Sequence, residues 1–353
     1  MVEKRVIANN LVVYSISHAL VDLICAGALF TIYFNKLVNP QVLFVLVIVY
    51  NVLAFAFQAP FGLWIDKLRK PVFSAVFGSI LVILSPMFIF ISPLTAVILA
   101  GVGNAFFHIG GGIISLNLQP KKATMPGIFV APGALGLAIG IYLGKAGIFY
   151  PGYFILALGA MCILMLKIKM PLLEYNKKKI EGDFRYFELI IILLLFSISI
   201  RAFIGFATVF PWKSNLLLLA LLTFAVVLGK GLGGFFGDKF GWVKVSVTAL
   251  LLSAPLIYFG KESVFLGILG MFLFNMTMPV TLVGVSNMLH GRFGFAFGLT
   301  TLALIIGVYP TYFDVHKYFS SGLLFFIIIL SALTLFIGLK LYFKKFPEMH
   351  YKE

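Results

Sequence analysis

An acid and two imidazoles, set one helical turn apart in apolar surroundings, are the residues in this chain best suited to carry a proton. Ser17-His18-Ala19-Leu20-Val21-Asp22 lies inside an apolar run from about Ile7 to Phe34. Asp22 is the one carboxylate deep in any apolar segment. An acid at the centre of a bilayer costs on the order of 3 kcal/mol by insertion scales, so such a residue is retained for a use. His18 precedes Asp22 by four residues and shares its helical face. Asn104 and His108 repeat that spacing further along. Imidazole titrates near neutral pH, which suits it to exchange protons with a carboxylate. The plainer reading of each histidine is a satisfied helix–helix hydrogen bond. Arg201, also deep in an apolar run, offers five donors in a planar fork. It suits a carboxylate or phosphonate substrate, or it is the counter-charge to Asp22, in which case the pair locks the molecule permanently or opens in use.

The elements that hold these residues must be membrane spans. The 353 residues are 61% hydrophobic and 11% charged. That composition excludes a soluble globular domain. Apolar runs of span length occupy about 9–33, 41–60, 72–92, 94–117, 124–144, 148–169, 188–210, 214–236, 243–260, 264–287, 294–314 and 320–343. Each is close to the 20 or so residues that cross a hydrocarbon core as a helix. The expectation is an all-α integral membrane fold with twelve transmembrane helices. The N-terminal run is too long for a signal sequence and carries Asp22 at its middle, so it reads as a retained span. Cys25 and Cys162 both fall in apolar runs and read as buried thiols.

Lysine and arginine orient the chain. With a cytoplasmic N-terminus, 20 of the 27 basic residues fall on the inner side. Five (Lys36, Lys145, Lys213, Lys261 and Lys317) fall outside, and Arg201 and Lys230 lie within spans. That bias expects both termini in the cytoplasm. The net charge of +15 is thus a membrane feature and not a nucleic-acid footprint.

A repeat organises the spans. The stretch after the second reads Gly62-Leu63-Trp64-Ile65-Asp66-Lys67-Leu68-Arg69-Lys70. The stretch after the eighth reads Gly234-Phe235-Phe236-Gly237-Asp238-Lys239. Both contain Gly-x-x-x-Asp-Lys, offset by 172 residues, and both read as short cytoplasmic turns. Asn104 and Asn275 recur at an offset of 171. Two six-span halves, 1–170 and 188–353, joined by a polar linker 171–187, fit a parallel-repeat transporter. In the turns, glycine lets two helix ends approach and the aspartate accepts from helix-start amides, while the basic residues pair with it or with anionic lipid. A solvated turn with positive-inside charge is the plainer reading of one copy alone.

The Gly62–Lys70 stretch resembles the signature of the major facilitator superfamily, Gly-x-x-x-Asp-x-x-Gly-Arg-Arg, at Gly62, Asp66, Arg69 and Lys70. Leu68 stands where that family has glycine. The second copy keeps Gly234, Asp238 and Gly241 without the paired arginines. The resemblance implies alternating access between two six-helix halves. It also implies that spans one, four, seven and ten line a central cavity, and those spans hold His18, Asp22, Asn104, His108, Arg201 and Asn275. Ser17-His18-x-x-x-Asp22, Asn104-Ala105-Phe106-Phe107-His108, Arg201-Ala202-Phe203-Ile204-Gly205-Phe206 and Met278-Pro279-Val280 look like the fosmidomycin-resistance branch. That likeness implies export of a small molecule against protons. Ile109-Gly110-Gly111-Gly112 stands where the branch has an acid and a proline after the histidine. The span-five export signature is present in part as Ala131-Pro132-Gly133-Ala134-Leu135-Gly136.

The expected roles are proton coupling by Asp22, His18 and His108, substrate binding by Asn104, Arg201 and Asn275, and gating by Gly62, Asp66, Arg69, Lys70, Gly234, Asp238 and Lys239. The expected partners are a small molecule, protons and the bilayer of the plasma membrane, with the chain acting as a monomer. Uptake of a small anionic metabolite is the second reading. An integral membrane enzyme acting on lipid is the third, and no paired-carboxylate or zinc-type motif supports it. No cofactor, metal or catalytic residue is expected.

Overall fold

The computed structural model describes residues 3–173, 175 and 186–346. Most of the expected linker 171–187 lies outside the described residues. Among the described residues the regular secondary structure is all helical. We label the long helices α1 (Lys4–Phe34), α2 (Pro40–Leu68), α3 (Pro71–Phe88), α4 (Pro93–Leu118), α5 (Thr124–Lys145), α6 (Pro151–Lys167), α7 (Phe187–Ala207), α8 (Leu216–Phe240), α9 (Trp242–Lys261), α10 (Val264–Met288), α11 (Phe293–Phe313) and α12 (Ser321–Lys345). Among the described residues, 11 of these are long and apolar enough to cross a membrane. The remaining one, α6, is an apolar helix of 17 residues at the expected sixth span.

Local chemistry explains where the helices start. Asn39, Ser92, Asn215, Ser263 and Ser320 each accept a backbone amide of the first turn of α2, α4, α8, α10 and α12. Proline follows immediately in α2, α3, α4 and α6, where its missing N–H costs nothing. α2 and α8 run further than their apolar stretches predict. Gly62–Leu68 and Gly234–Phe240 are helix and not turn. The polar residues there occupy the last turns, where the backbone stays paired within the helix. The chain then turns at Arg69, whose φ of 57° caps α2 in the left-handed region.

α10 is interrupted. Its first part ends at Asn275 and its second begins at Met278, with Pro279 in the new first turn. Proline has no amide for the ladder, so the backbone bends there. α2 carries a π-helical turn at Val52–Ala56. Pro132 lies inside α5 and Pro310 in the 3-10 end of α11.

The chain divides into two compact units. The first comprises Met1–Pro120, Pro132–Tyr175 and Gly291–Thr301, the second Lys121–Ala131, Asn176–His290 and Leu302–Glu353. In the first unit, α3 and α4 pack backbone to backbone through Gly78, Gly103 and Gly110, as the glycine content of these spans requires. Ser74 donates to the Phe106 carbonyl at 2.7 Å across that seam. Ile65 of α2, Phe106, Ile109 and Ile113 of α4 and Tyr175 form a buried apolar cluster. In the second unit, Ser197 of α7 and Ser331 of α12 bond side chain to side chain at 3.0 Å. Cys25 and Cys162 are buried free thiols.

Candidate functional site

The first unit gathers four polar side chains from within two long apolar helices. α1 sets His18 Nε2 3.3 Å from Asp22 Oδ2. α4 packs along α1 and brings Asn104 and His108 to the same place. Asn104 Nδ2 donates to Asp22 Oδ1 at 2.9 Å. His108 Nε2 lies 2.8 Å from His18 Nε2 and 3.7 Å from Asp22 Oδ1. The two imidazoles meet edge to face, with ring centroids 4.4 Å apart. His18, Asn104 and His108 are buried, whereas the Asp22 side chain keeps 17% of its surface open.

These contacts determine where the protons sit. His108 Nδ1 is 2.9 Å from the Asn104 carbonyl oxygen. A carbonyl only accepts, so Nδ1 carries the hydrogen. In neutral His108, Nε2 is then a lone pair, and His18 Nε2–H must donate to it. A further proton on His108 Nε2 would set N–H against N–H across 2.8 Å.

Gly133 of α5 closes the site. A Cβ there would lie 2.6 Å from His18 Cδ2 and 2.7 Å from Asp22 Oδ2. Glycine is what lets α5 cover the acid, and its neighbour Gly136 packs on the α1 backbone at Ala19. Sequence reasoning missed Gly133 as a site residue, although it sits inside the Ala131–Gly136 stretch already singled out.

The second unit holds a buried cation. Arg201 Nε donates to the Ser197 carbonyl at 3.2 Å, and the two terminal nitrogens donate to Thr277 Oγ1 and, at 3.0 Å, to Thr281 Oγ1. The threonine hydroxyls pass their own hydrogens to backbone carbonyls, Thr277 to Phe274 at 3.2 Å and Thr281 to Met278 at 2.9 Å. Their lone pairs are thus left for the guanidinium. All these acceptors are neutral, so the charge is solvated by dipoles. Thr277 and Thr281 were not read from the sequence; the signal was the Met278-Pro279 break, which brings them onto one face. Asn275 donates to the Met271 carbonyl at 2.8 Å, in its own helix, and is not among the partners of Arg201.

The two Gly-x-x-x-Asp copies do the same physical job. Asp66 accepts from the amides of Gly294 at 2.8 Å and Phe295 at 2.9 Å, the start of α11. Asp238 accepts from the amides of Ala123 at 3.0 Å and Thr124 at 2.9 Å, the start of α5. Thr124 Oγ1 and Trp242 Nε1 donate to the same carboxylate at 2.6 and 2.9 Å. Each carboxylate meets orphan N–H groups and the positive end of a helix dipole. Gly62 and Gly234 permit the approach: a Cβ at Gly62 would strike the Gly294 backbone, and one at Gly234 the Ala123 backbone. Arg69 lies over the Tyr175 ring at 5.5 Å, and Lys239 over those of Phe235 and Phe240 at 5.9 and 5.1 Å. Lys70 and Lys239 are exposed and take no part in the caps.

No family model and no curated protein sequence matches the chain. Solved structures do. A variant of the E. coli fucose:proton symporter superposes with a TM-score of 0.66 at 12% identity, covering 96% of this chain and 98% of that one. The fold is that of the major facilitator transporters. A second structure of the fucose transporter, in its outward conformation, gives 0.63 at 12% identity over 94% of this chain and 99% of that one. The human organic anion transporter TETRAN gives 0.66 at 17% identity, with 95% and 100% covered. On this major facilitator frame the polar cluster lies on α1 and α4, and the buried arginine on α7.

Proposed function

We propose that the chain is a twelve-span secondary transporter that moves a small molecule by alternating access, driven by protons, in the direction of efflux. The observation that carries this reading is the His18–Asp22–His108 cluster, which has one proton position between two imidazoles and a carboxylate beside it. A proton added to this cluster changes its internal hydrogen bonding, which is the kind of element whose equilibrium a coupled carrier can bias. Asp22 is the most open member and is where protons enter and leave. The proton-symporter activity of a protein with this fold supports proton use here. The part-matched export stretch around Pro132 and Gly133 supports efflux. Both termini face the cytoplasm, the membrane is the plasma membrane, and the working unit is the monomer.

The second reading is uptake of a small anion, and Arg201 favours it. A buried guanidinium held only by hydroxyls and a carbonyl exchanges them for a carboxylate or phosphonate with a net gain in charge-assisted bonds. An organic anion transporter shares the fold.

The test is flux in proteoliposomes with an imposed pH gradient and a panel of labelled phosphonates, carboxylates and neutral sugars. Asp22→Asn is expected to abolish gradient-driven accumulation and to preserve counterflow exchange. A variant with unchanged pH dependence would sink the proton role. The sign of the gradient that drives accumulation decides between efflux and uptake.

A further inference from the structure

The donor atoms of His18, Asp22 and His108 lie within 4.8 Å of one another. From this we infer that the cluster is also a binding site for a divalent transition metal ion of the zinc type. The sequence carries no local zinc spacing, because the third ligand comes from another helix.

The pairwise separations are 2.8 Å between the two Nε2 atoms, 3.3 Å from His18 Nε2 to Asp22 Oδ2 and 3.7 Å from His108 Nε2 to Asp22 Oδ1. Tetrahedral zinc with bonds of about 2.0–2.1 Å holds its donors about 3.3–3.4 Å apart. Side-chain movements of about half an ångström bring all three into that geometry. Two imidazoles and one carboxylate are a zinc donor set, and three protein ligands leave a fourth position open.

A second observation is independent of these distances. His108 donates Nδ1–H to the Asn104 carbonyl at 2.9 Å, which fixes the tautomer and aims the Nε2 lone pair into the cluster. That outer bond is the usual support of a metal-bound histidine. Asn104 adds a third. Its side-chain Oδ1 is buried without a hydrogen-bond partner, on the amide whose nitrogen already contacts Asp22.

The proton balance is simple. In the neutral cluster His18 moves its hydrogen from Nε2 to Nδ1, and the ion binds with no net release. The singly protonated cluster must release one proton per ion bound. Ion and proton therefore compete for one place. The dication and the Asp22 carboxylate together leave a net charge of one on the bound site.

The experiment uses tag-free, full-length protein in detergent. Zinc binding is measured by calorimetry, and zinc-edge X-ray absorption is recorded on the wild type. The expected result is one saturable site whose nearest shell contains two imidazoles. His18→Ala and His108→Ala are each expected to weaken zinc by at least about tenfold, whereas His316→Ala in an outer turn leaves it unchanged. If either of the first two variants fails to fold, the wild-type absorption spectrum decides alone. Absence of saturable binding, fewer than two imidazoles around the ion, or equal affinity in His18→Ala would each overturn the site. Neither readout involves flux, so the metal site and the transport reading fail separately.

Discussion

Gly133 and Thr277 control the two polar sites without being chargeable themselves. At Gly133 a methyl group meets His18 Cδ2 and Asp22 Oδ2 within 2.7 Å. Overpacking of that size costs about 1–3 kcal/mol if the neighbours yield. The neighbours here are the imidazole and carboxylate of the polar cluster. Gly133→Ala is therefore expected to cut gradient-driven flux at least tenfold while leaving a cooperative thermal transition in detergent; wild-type flux would show that α5 does not constrain the acid. At the other site, Thr277→Val and Thr281→Val each leave one guanidinium N–H facing a methyl group. A buried donor left unsatisfied costs about 1–3 kcal/mol. The expected outcome is a lower unfolding midpoint for each variant, with a non-additive double mutant because both serve one group. Midpoints equal to the wild type would mean that water or another dipole replaces the hydroxyls.

The Asp66 and Asp238 caps act at helix ends. A helix start leaves its first amides without partners, and a carboxylate supplies bonds and charge together. Asp66→Asn keeps the shape, loses the charge and can offer only one oxygen to two amides. Hydrogen exchange at the start of α11, around Gly294 and Phe295, is expected to quicken in Asp66→Asn, with α5 unaffected. Asp238→Asn is expected to do the reverse, at Ala123 and Thr124. Loss of one cap bond corresponds to about 1 kcal/mol, or roughly a fivefold rise in local opening. Exchange that rises at both starts in either variant would show that the two ties are not independent. These elements were half legible beforehand. The repeat offset of 172 identified both aspartates. Their acceptor role was foreseen, but their location in the last helical turn was not, because apolar runs end before the helices do.

Charge distribution belongs to the whole molecule. The 20-to-5 split of basic residues was read from the sequence and expects an inner and an outer face. Cys25 and Cys162 are buried, so the background for thiol labelling is low. Single cysteines at Lys36→Cys, Lys213→Cys and Lys261→Cys are expected to react with an impermeant maleimide added to whole cells. Lys67→Cys and Lys122→Cys are expected to react only after the membrane is opened. The opposite pattern would invert the orientation and with it the direction assigned to transport.

Sequence alone determined the class of molecule, because apolar run length and positive-charge bias are summed locally and need no knowledge of neighbours. It also paired His18 with Asp22 and Asn104 with His108, since four residues make one helical turn whatever surrounds them. Tertiary packing alone decided that these two pairs are one cluster, that His108 and not only His18 faces the acid, and that Gly133 covers it. It likewise decided that Arg201 rests on threonine hydroxyls. Such facts depend on how two helices are rotated and spaced against each other. A one-dimensional pattern identifies the face of a helix and leaves open which neighbour that face meets.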